Sequence, residues 1–327
     1  MRSAGILRPT VVALLAALAT LTPGCSTTQS VAGPSTTRIL TVATFPFGTS
    51  TPEGDGTRAT TTTGKPPTGV SVARDVVYNS AGRLDVYKPA KPGGPLVVLF
   101  PGRTSDKALY AKVAAALAVQ GAAVVVPNYR AKDLLPVPAS DARCVIRTAR
   151  LQASQWNADP SRLVLLGFTW GVMPAMGEAL GGPWQNEPAP EDCVLAAAAP
   201  GPVPELPVKG VVGVVGQYDW FDSGGVESDL YKKFSPFSQV SGTNKIPVRL
   251  ITGQPDELAV PPATTTRFRD ALIAAGFTAS TELSSLPNLA LLGARYDTAT
   301  KTVVIASERA DRSGVDLVVQ TVLAVAG

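Results

Sequence analysis

From residue 70 onward, short runs of β-branched and apolar residues alternate with amphipathic segments. Continuous apolar runs at residues 95–100 and 122–127 are typical of strands that are buried on both faces of a sheet. Residues 106–120 carry apolar side chains at helical spacing, and Gly121 ends that helix. Alternation of this kind predicts an α/β domain with a mostly parallel central sheet and helices on both faces.

The same pattern continues to the end of the chain, without an internal repeat or a second folded domain. Hydrophobic residues make up 45% of the 327 residues, which is enough for a sizeable core. Further strands are predicted at residues 71–78, 83–87, 162–166, 210–215, 248–252 and 280–286. Further helices are predicted at residues 139–156, 172–180, 265–275 and 311–326.

The first residues have the features of an export signal. A positively charged start precedes an apolar run at residues 11–21, which is too short to span a bilayer. The run ends in Leu-Thr-Pro-Gly-Cys, which resembles a bacterial lipoprotein signal. We therefore expect a signal peptide at residues 1–24 and a lipid on Cys25, which would anchor the exported protein to the outside of the cell membrane. The alternative is an ordinary cleaved signal in which Cys25 is incidental.

The segment after Cys25 differs in composition from the rest of the chain. Of residues 26–70, 29 of 45 are Ser, Thr, Pro or Gly. Such a segment buries too little apolar surface to offset the entropy of ordering it. It predicts a disordered tether over residues 25–69, followed by the folded domain at residues 70–327.

Two cysteines remain within the folded domain, Cys144 and Cys193. An even number of cysteines in an exported protein indicates a disulfide. The alternative is a pair of unpaired buried thiols. A bridge would close a loop of about 50 residues and stabilise the fold by a few kcal/mol.

The chain contains no histidine. This excludes a reaction with an imidazole base and a metal site with an imidazole ligand. The net charge of +4 is small and dispersed, so nucleic acid is not an expected partner. Neither a dinucleotide-binding nor a phosphate-binding glycine motif is present, and we expect no cofactor and no metal.

Several segments occur in a characteristic order. They are residues 83–89 (RLDVYKP), 124–130 (VVVPNYR), 157–167 (NADPSRLVLLG) and 253–262 (GQPDELAVPP). Together they resemble the α/β-hydrolase superfamily, and they are most similar to carboxylesterases and lipases of the hormone-sensitive-lipase type. The resemblance covers about residues 71–327 and implies the α/β-hydrolase fold. It also implies a Ser-His-acid triad and an oxyanion loop.

This chain departs from the family at the reacting positions. The nucleophile elbow of the fold reads G-x-S-x-G, and here it is Gly167-Phe168-Thr169-Trp170-Gly171. Thr169 therefore stands at the nucleophile position. The resemblance places Asp256 at the position of the triad acid, and Asn288, or a residue one or two away, at that of the histidine.

The oxyanion loop also differs from that of the family. Pro101 stands where the family has histidine, Gly102 is kept, and Arg103 replaces the second glycine. Trp170 follows the nucleophile position, where active relatives have a small residue whose N–H stabilises the oxyanion. We therefore expect both the triad and the oxyanion loop to be degenerate.

These departures predict that the domain is not an enzyme, because a hydroxyl without a neighbouring base is a weak nucleophile. Its expected role is to bind an unidentified small molecule or an envelope protein. The candidate binding residues are Arg103, Trp170, Tyr218, Asp219 and Trp220, although the aromatic residues at 218 and 220 could instead belong to the core. Two alternatives stay open: an unusual carboxylesterase that uses Thr169 without a histidine, and a structural lipoprotein with a filled cleft.

Overall fold

The structure is a computed structural model that describes residues 66–193, 206–219, 229–241, 245–255, 262–299, 301–305 and 312–327. Within these residues, eight strands form one sheet in the order β1-β2-β4-β3-β5-β6-β7-β8. The strands are β1 (Val70–Val77), β2 (Arg83–Pro89), β3 (Gly94–Phe100), β4 (Ala123–Asn128), β5 (Ala158–Phe168), β6 (Gly210–Val214), β7 (Val248–Gln254) and β8 (Ala279–Pro287).

The sheet is mostly parallel. β2 pairs antiparallel with both β1 and β4, and every other neighbouring pair is parallel. The carboxyl ends of β3, β5, β6, β7 and β8 therefore lie along one edge of the sheet. In open α/β sheets this edge is where ligands bind.

Helices connect the parallel strands. They are α1 (Ala111–Val119), α2 (Val137–Gln152), α3 (Val172–Leu180), α4 (Pro183–Asn186), α5 (Asp229–Phe234), α6 (Pro262–Ala274) and α7 (Arg312–Ala326). A 3₁₀ turn at Lys107–Tyr110 precedes α1, and the carboxylate of Asp106 caps that turn by accepting a hydrogen bond from the N–H of Ala108. None of the described helices is long and apolar enough to cross a membrane.

Two of the three apolar clusters among the described residues form layers, one on each face of the sheet. In β3, Leu96, Val98 and Phe100 belong to one layer, whereas Val97 and Leu99 belong to the other. This alternation follows from the period of two along a strand. Because both faces of the sheet are covered, β3 does not alternate between core-facing and solvent-facing residues. This explains the continuous apolar run at residues 95–100.

The predicted α/β class is confirmed by this sheet, and the predicted strands and helices coincide with observed elements to within a few residues at most ends. A two-stranded antiparallel hairpin of β9 (Ala294–Asp297) and β10 (Thr302–Ile305) was not expected. The disulfide between Cys144 and Cys193 is confirmed, with a Cα–Cα distance of 5.7 Å. The signal peptide, Cys25 and all but residues 66–69 of the tether lie outside the described residues.

Candidate active site

The turn between β5 and α3 has the geometry of a nucleophile elbow. β5 ends at Phe168, and Thr169–Gly171 form a 3₁₀ turn that leads directly into α3. The backbone of Thr169 has a φ of 49°, in the left-handed region. A β-branched residue is a genuine outlier there and costs about 1–3 kcal/mol. Strain of this kind is found preferentially at functional sites.

Two glycines make this turn possible. A Cβ atom on Gly167 would lie 2.5 Å from the carbonyl oxygen of Gly171. A Cβ atom on Gly171 would lie 2.1 Å from the carbonyl oxygen of Phe100, at the end of β3. Both obstacles are backbone atoms that cannot move aside, so the elbow requires glycine at each position.

The loop after β3 approaches the elbow closely. A Cβ atom on Gly102 would lie 2.3 Å from Thr169 Oγ1, and within 3.4 Å of Ser105 Oγ and Tyr110 OH. Three hydroxyl groups therefore surround the α-carbon of Gly102. Residues 101–105 form the loop that the sequence predicts as a degenerate oxyanion loop, and the Thr169 hydroxyl lies against Gly102 within it.

Tyr110 anchors this loop from inside the protein. The N–H of Gly102 donates a hydrogen bond to Tyr110 OH at 2.8 Å, and the N–H of Ser105 donates to the carbonyl of Gly102 at 3.1 Å. Burial raises the pKa of Tyr110, and its hydrogen bonds with Gly102 and Ser105 offset only part of that effect. Tyr110 is therefore a neutral phenol at ordinary pH. Neither Tyr110 nor Ser105 belongs to a sequence motif, and sequence reasoning missed both.

The indole of Trp170 is packed beside the elbow. Its ring is only 5% exposed and stacks on Tyr129, with ring centroids 6.2 Å apart. Tyr129 in turn donates its hydroxyl hydrogen to the carbonyl of Pro101 at 2.9 Å. In the part of the chain that the structure describes, the indole nitrogen of Trp170 has no hydrogen-bond partner. Trp170 therefore forms an apolar wall next to Thr169.

Arg103 lies above this wall. Its guanidinium carbon is 6.0 Å from the centre of the Trp170 ring, and Nη2 donates to the carbonyl of Lys132 at 3.2 Å. The side chain is half-buried. The structure thus brings together five of the predicted site residues, which are Pro101, Gly102, Arg103, Thr169 and Trp170.

Asn288 lies at the same edge of the sheet, immediately after β8. It is fully buried, and its Oδ1 accepts a hydrogen bond from the N–H of Gly253 near the end of β7, at 2.8 Å. Its Nδ2 has no partner among the described residues. Asn288 is therefore held in place through its acceptor oxygen, and it has no group that takes up a proton near neutral pH.

Two further predicted binding residues have partners of their own. Tyr218 is fully buried in the core and stacks on Phe268 with centroids 4.6 Å apart. Asp219 forms an ion pair with Arg267 at 3.1 Å. Asp256 and Trp220 lie outside the described residues. No group of three or more metal-binding side chains was found in the described segments.

Solved structures of esterases share this fold. Esterase 2 of Thermogutta terrifontis, phosphoramylated by tabun, is 17% identical with a TM-score of 0.57, and the match covers 80% of this chain and 96% of that one. The butyrate-bound form of the same esterase is 16% identical with a TM-score of 0.58, and the match covers 79% and 95%. A truncated carbohydrate esterase from gut microbiota is 18% identical with a TM-score of 0.58, covering 78% and 96%. No protein-family model matches the chain, and no curated protein does.

These similarities confirm the α/β-hydrolase fold. They also correct the prediction that the domain is not an enzyme, because its structural neighbours over four fifths of the chain are esterases. That prediction rested on treating the imidazole as indispensable. An elbow and an oxyanion hole retain roughly 10³–10⁴-fold acceleration over water when a triad member is missing.

Proposed function

We propose that this chain is a carboxylic-ester hydrolase whose nucleophile is the hydroxyl of Thr169. The observation that carries the proposal is the strained backbone of Thr169, held between two obligatory glycines with Oγ1 against the α-carbon of Gly102. Glycine or asparagine would make such a turn at lower cost. Keeping a β-branched hydroxyl residue there is explained if the hydroxyl reacts.

Backbone N–H groups are available to stabilise the oxyanion. The N–H of Gly102 is already bound by Tyr110, and that of Ser105 closes the turn. Arg103 and Thr104 occupy the middle of this turn, so their N–H groups have no partner within it. Together with the N–H of Trp170, which follows the elbow, they are the proposed donors. One such donor is worth about 10²–10³ in rate, so these groups supply most of the catalysis.

The proton of Thr169 has no imidazole to receive it. In the proposed reaction, Thr169 Oγ1 bonds to the ester carbon while its proton passes to hydroxide. The alkoxide of the ester's alcohol then leaves and takes a proton from water, which regenerates the hydroxide. A second water molecule hydrolyses the acyl-threonine and frees the Thr169 hydroxyl. Without a general base, such an enzyme is slow and favours esters with good leaving groups.

The test is hydrolysis of p-nitrophenyl butyrate by the purified full-length protein, compared with Thr169→Ala. The proposal expects hydrolysis above background that falls at least about tenfold in the variant. A matched control is Thr266→Ala, which removes a hydroxyl from α6 on which the site does not depend. Equal rates in the wild type and Thr169→Ala, or no hydrolysis at all, would contradict the proposal.

We also propose that the protein works outside the cytoplasm, tethered to the membrane by a lipid on Cys25. The signal-like start of the chain supports this, and so does the disulfide, because disulfides persist in oxidising compartments. The expected result is that the wild type partitions into detergent after membrane extraction and that Cys25→Ser does not. Release of the wild type into the aqueous phase would count against the anchor.

A further inference from the structure

The position of Arg103 points to the charge of the substrate. Arg103 directly follows Gly102, whose α-carbon lies against the Thr169 hydroxyl. Consecutive α-carbons are about 3.8 Å apart, so this side chain begins next to the reacting oxygen. In the esterase resemblance the corresponding residue is glycine, which carries no side chain. The arginine therefore adds a cation to a site that already has the groups needed to bind an ester carbonyl.

Contacts on two sides fix the guanidinium beside the elbow. One nitrogen donates to the carbonyl of Lys132, and the group lies over the indole of Trp170. These contacts hold the guanidinium in place, but they do not neutralise it. No carboxylate pairs with Arg103 in the segments that the structure describes.

Resting on the proposed function, we infer that the substrate is an ester that carries a negative charge, a carboxylate on its acyl chain. The guanidinium has donors left over after its bond to Lys132, and a carboxylate is the group whose geometry those donors match. Arg103 is thus assigned as a specificity-determining residue.

The substrates for the test differ only in charge. The p-nitrophenyl monoester of adipic acid carries one free carboxylate, and its methyl ester is the neutral match of nearly the same length. The measured quantity is the ratio of kcat/KM for the acid to kcat/KM for its methyl ester. We expect a ratio of about ten, which is the size of one charge-assisted hydrogen bond. The ratio should fall as salt is added, because salt screens a partly exposed pair.

Three variants separate this role from general charge effects. Arg103→Gln should bring the ratio close to one, and Arg103→Lys should restore part of it because the charge is kept. Lys91→Gln removes an exposed cation just before β3, at the opposite end of that strand from Gly102, and should leave the ratio unchanged. A wild-type ratio near one, or an unchanged ratio in Arg103→Gln, would overturn the inference even if Thr169-dependent hydrolysis is found.

A binding measurement keeps the inference testable without turnover. Adipate should quench the fluorescence of Trp170 at concentrations that have no effect on Arg103→Gln, with Trp170→Phe identifying the signal. If adipate binds and no ester is hydrolysed, the proposed reaction fails and the anionic ligand stands. If the esters are hydrolysed, but adipate does not bind and the adipate monoester is not preferred over its methyl ester, the proposed reaction stands and the inferred anionic substrate is wrong.

Discussion

At the residue scale, the methyl group of Thr169 adds strain that the reaction of a hydroxyl does not require. A β-branched side chain at a φ of 49° is strained, and a serine would relieve part of that strain. Thr169→Ser is therefore expected to raise kcat/KM for p-nitrophenyl butyrate several-fold and to stabilise the protein slightly. Steady-state kinetics and thermal unfolding measure the two effects.

A matched control for this change is Thr252→Ser, which removes a methyl group from a buried threonine on β7. It should leave the rate unchanged. A Thr169→Ser variant that is slower than the wild type would show that the methyl group helps to position the hydroxyl instead of hindering it.

The dependence of the rate on pH should also show no step from the titration of an imidazole. The chain has no histidine, so no imidazole titrates between pH 6 and 9. Burial raises the pKa of Tyr110, so this phenol also keeps its proton over that range. The attacking alkoxide then becomes about tenfold more abundant with each pH unit. We expect the Thr169-dependent part of kcat/KM to rise through this range without a plateau, after subtraction of the rate of Thr169→Ala. A plateau above pH 7 would reveal a base that this mechanism lacks.

Residue-scale prediction from the sequence succeeded where a motif fixes the local backbone. The elbow at residues 167–171 could be located because two glycines flank one position after a buried strand. The roles of Ser105 and Tyr110 could not be predicted, because their contacts with Gly102 depend on how the loop folds back. The sequence left open whether Tyr218 belongs to the core or to the site, because a position beside a strand end fits both.

At the element scale, a partly buried ion cluster ties the first strands to the turn that carries Tyr110. Asp85 on β2 pairs with Arg74 at 2.6 Å and with Lys107 at 2.7 Å, and Lys107 also pairs with Asp75. Burial alone would lower the pKa of Lys107, but its hydrogen bonds to the two carboxylates outweigh burial and raise it above 10.5. The lysine is therefore charged at neutral pH and holds the turn against the sheet.

Removing this lysine should destabilise the fold. Lys107→Met leaves the buried Asp85 with fewer partners, which we expect to lower the free energy of unfolding by about 1–3 kcal/mol. The pKa of Lys107 is higher in the folded state than in the unfolded state. Its contribution to stability is therefore present at neutral pH and is lost as the pH rises through the pKa of the folded state. Urea unfolding at pH 7 measures the loss, with the exposed Lys91→Met as control. Equal stability of the two variants would show that the cluster contributes little.

Element boundaries followed from the sequence because strands buried on both faces leave long apolar runs. The β9–β10 hairpin was missed because both strands are only four residues long and the connection lacks a glycine turn signal. Short, half-buried strands at the margin of a domain have too little periodicity to be recognised.

At the scale of the whole molecule, the disulfide connects α2 with a segment 49 residues later in the chain. Closing a loop of this length restricts the unfolded chain, which stabilises the fold by about 2–4 kcal/mol. The free energy of unfolding of the double variant Cys144→Ala and Cys193→Ala should therefore be lower by that amount, as measured by urea unfolding. The wild type in a reducing agent should behave in the same way. Unchanged stability in both cases would mean that the bridge is dispensable.

The fold as a whole could be predicted, whereas the conclusion about activity could not. The order of buried strands and glycine turns dictates a parallel sheet, and the esterase structures confirm that architecture. The proposed activity depends on the placement of Thr169 against Gly102 and on backbone donors, which have no side-chain signature. Counting the missing histidine therefore gave the wrong answer about whether the protein is an enzyme.

The most direct test of the proposed reaction is to trap the acyl-enzyme. Full-length protein is mixed with excess p-nitrophenyl butyrate, quenched in acid within the first turnover, digested and analysed by mass spectrometry. We expect a butyryl group on the peptide that contains Thr169, and no adduct there in Thr169→Ala. A butyryl group found only on other residues, or turnover with no adduct on Thr169 under conditions that trap a serine esterase, would rule out Thr169 as the nucleophile.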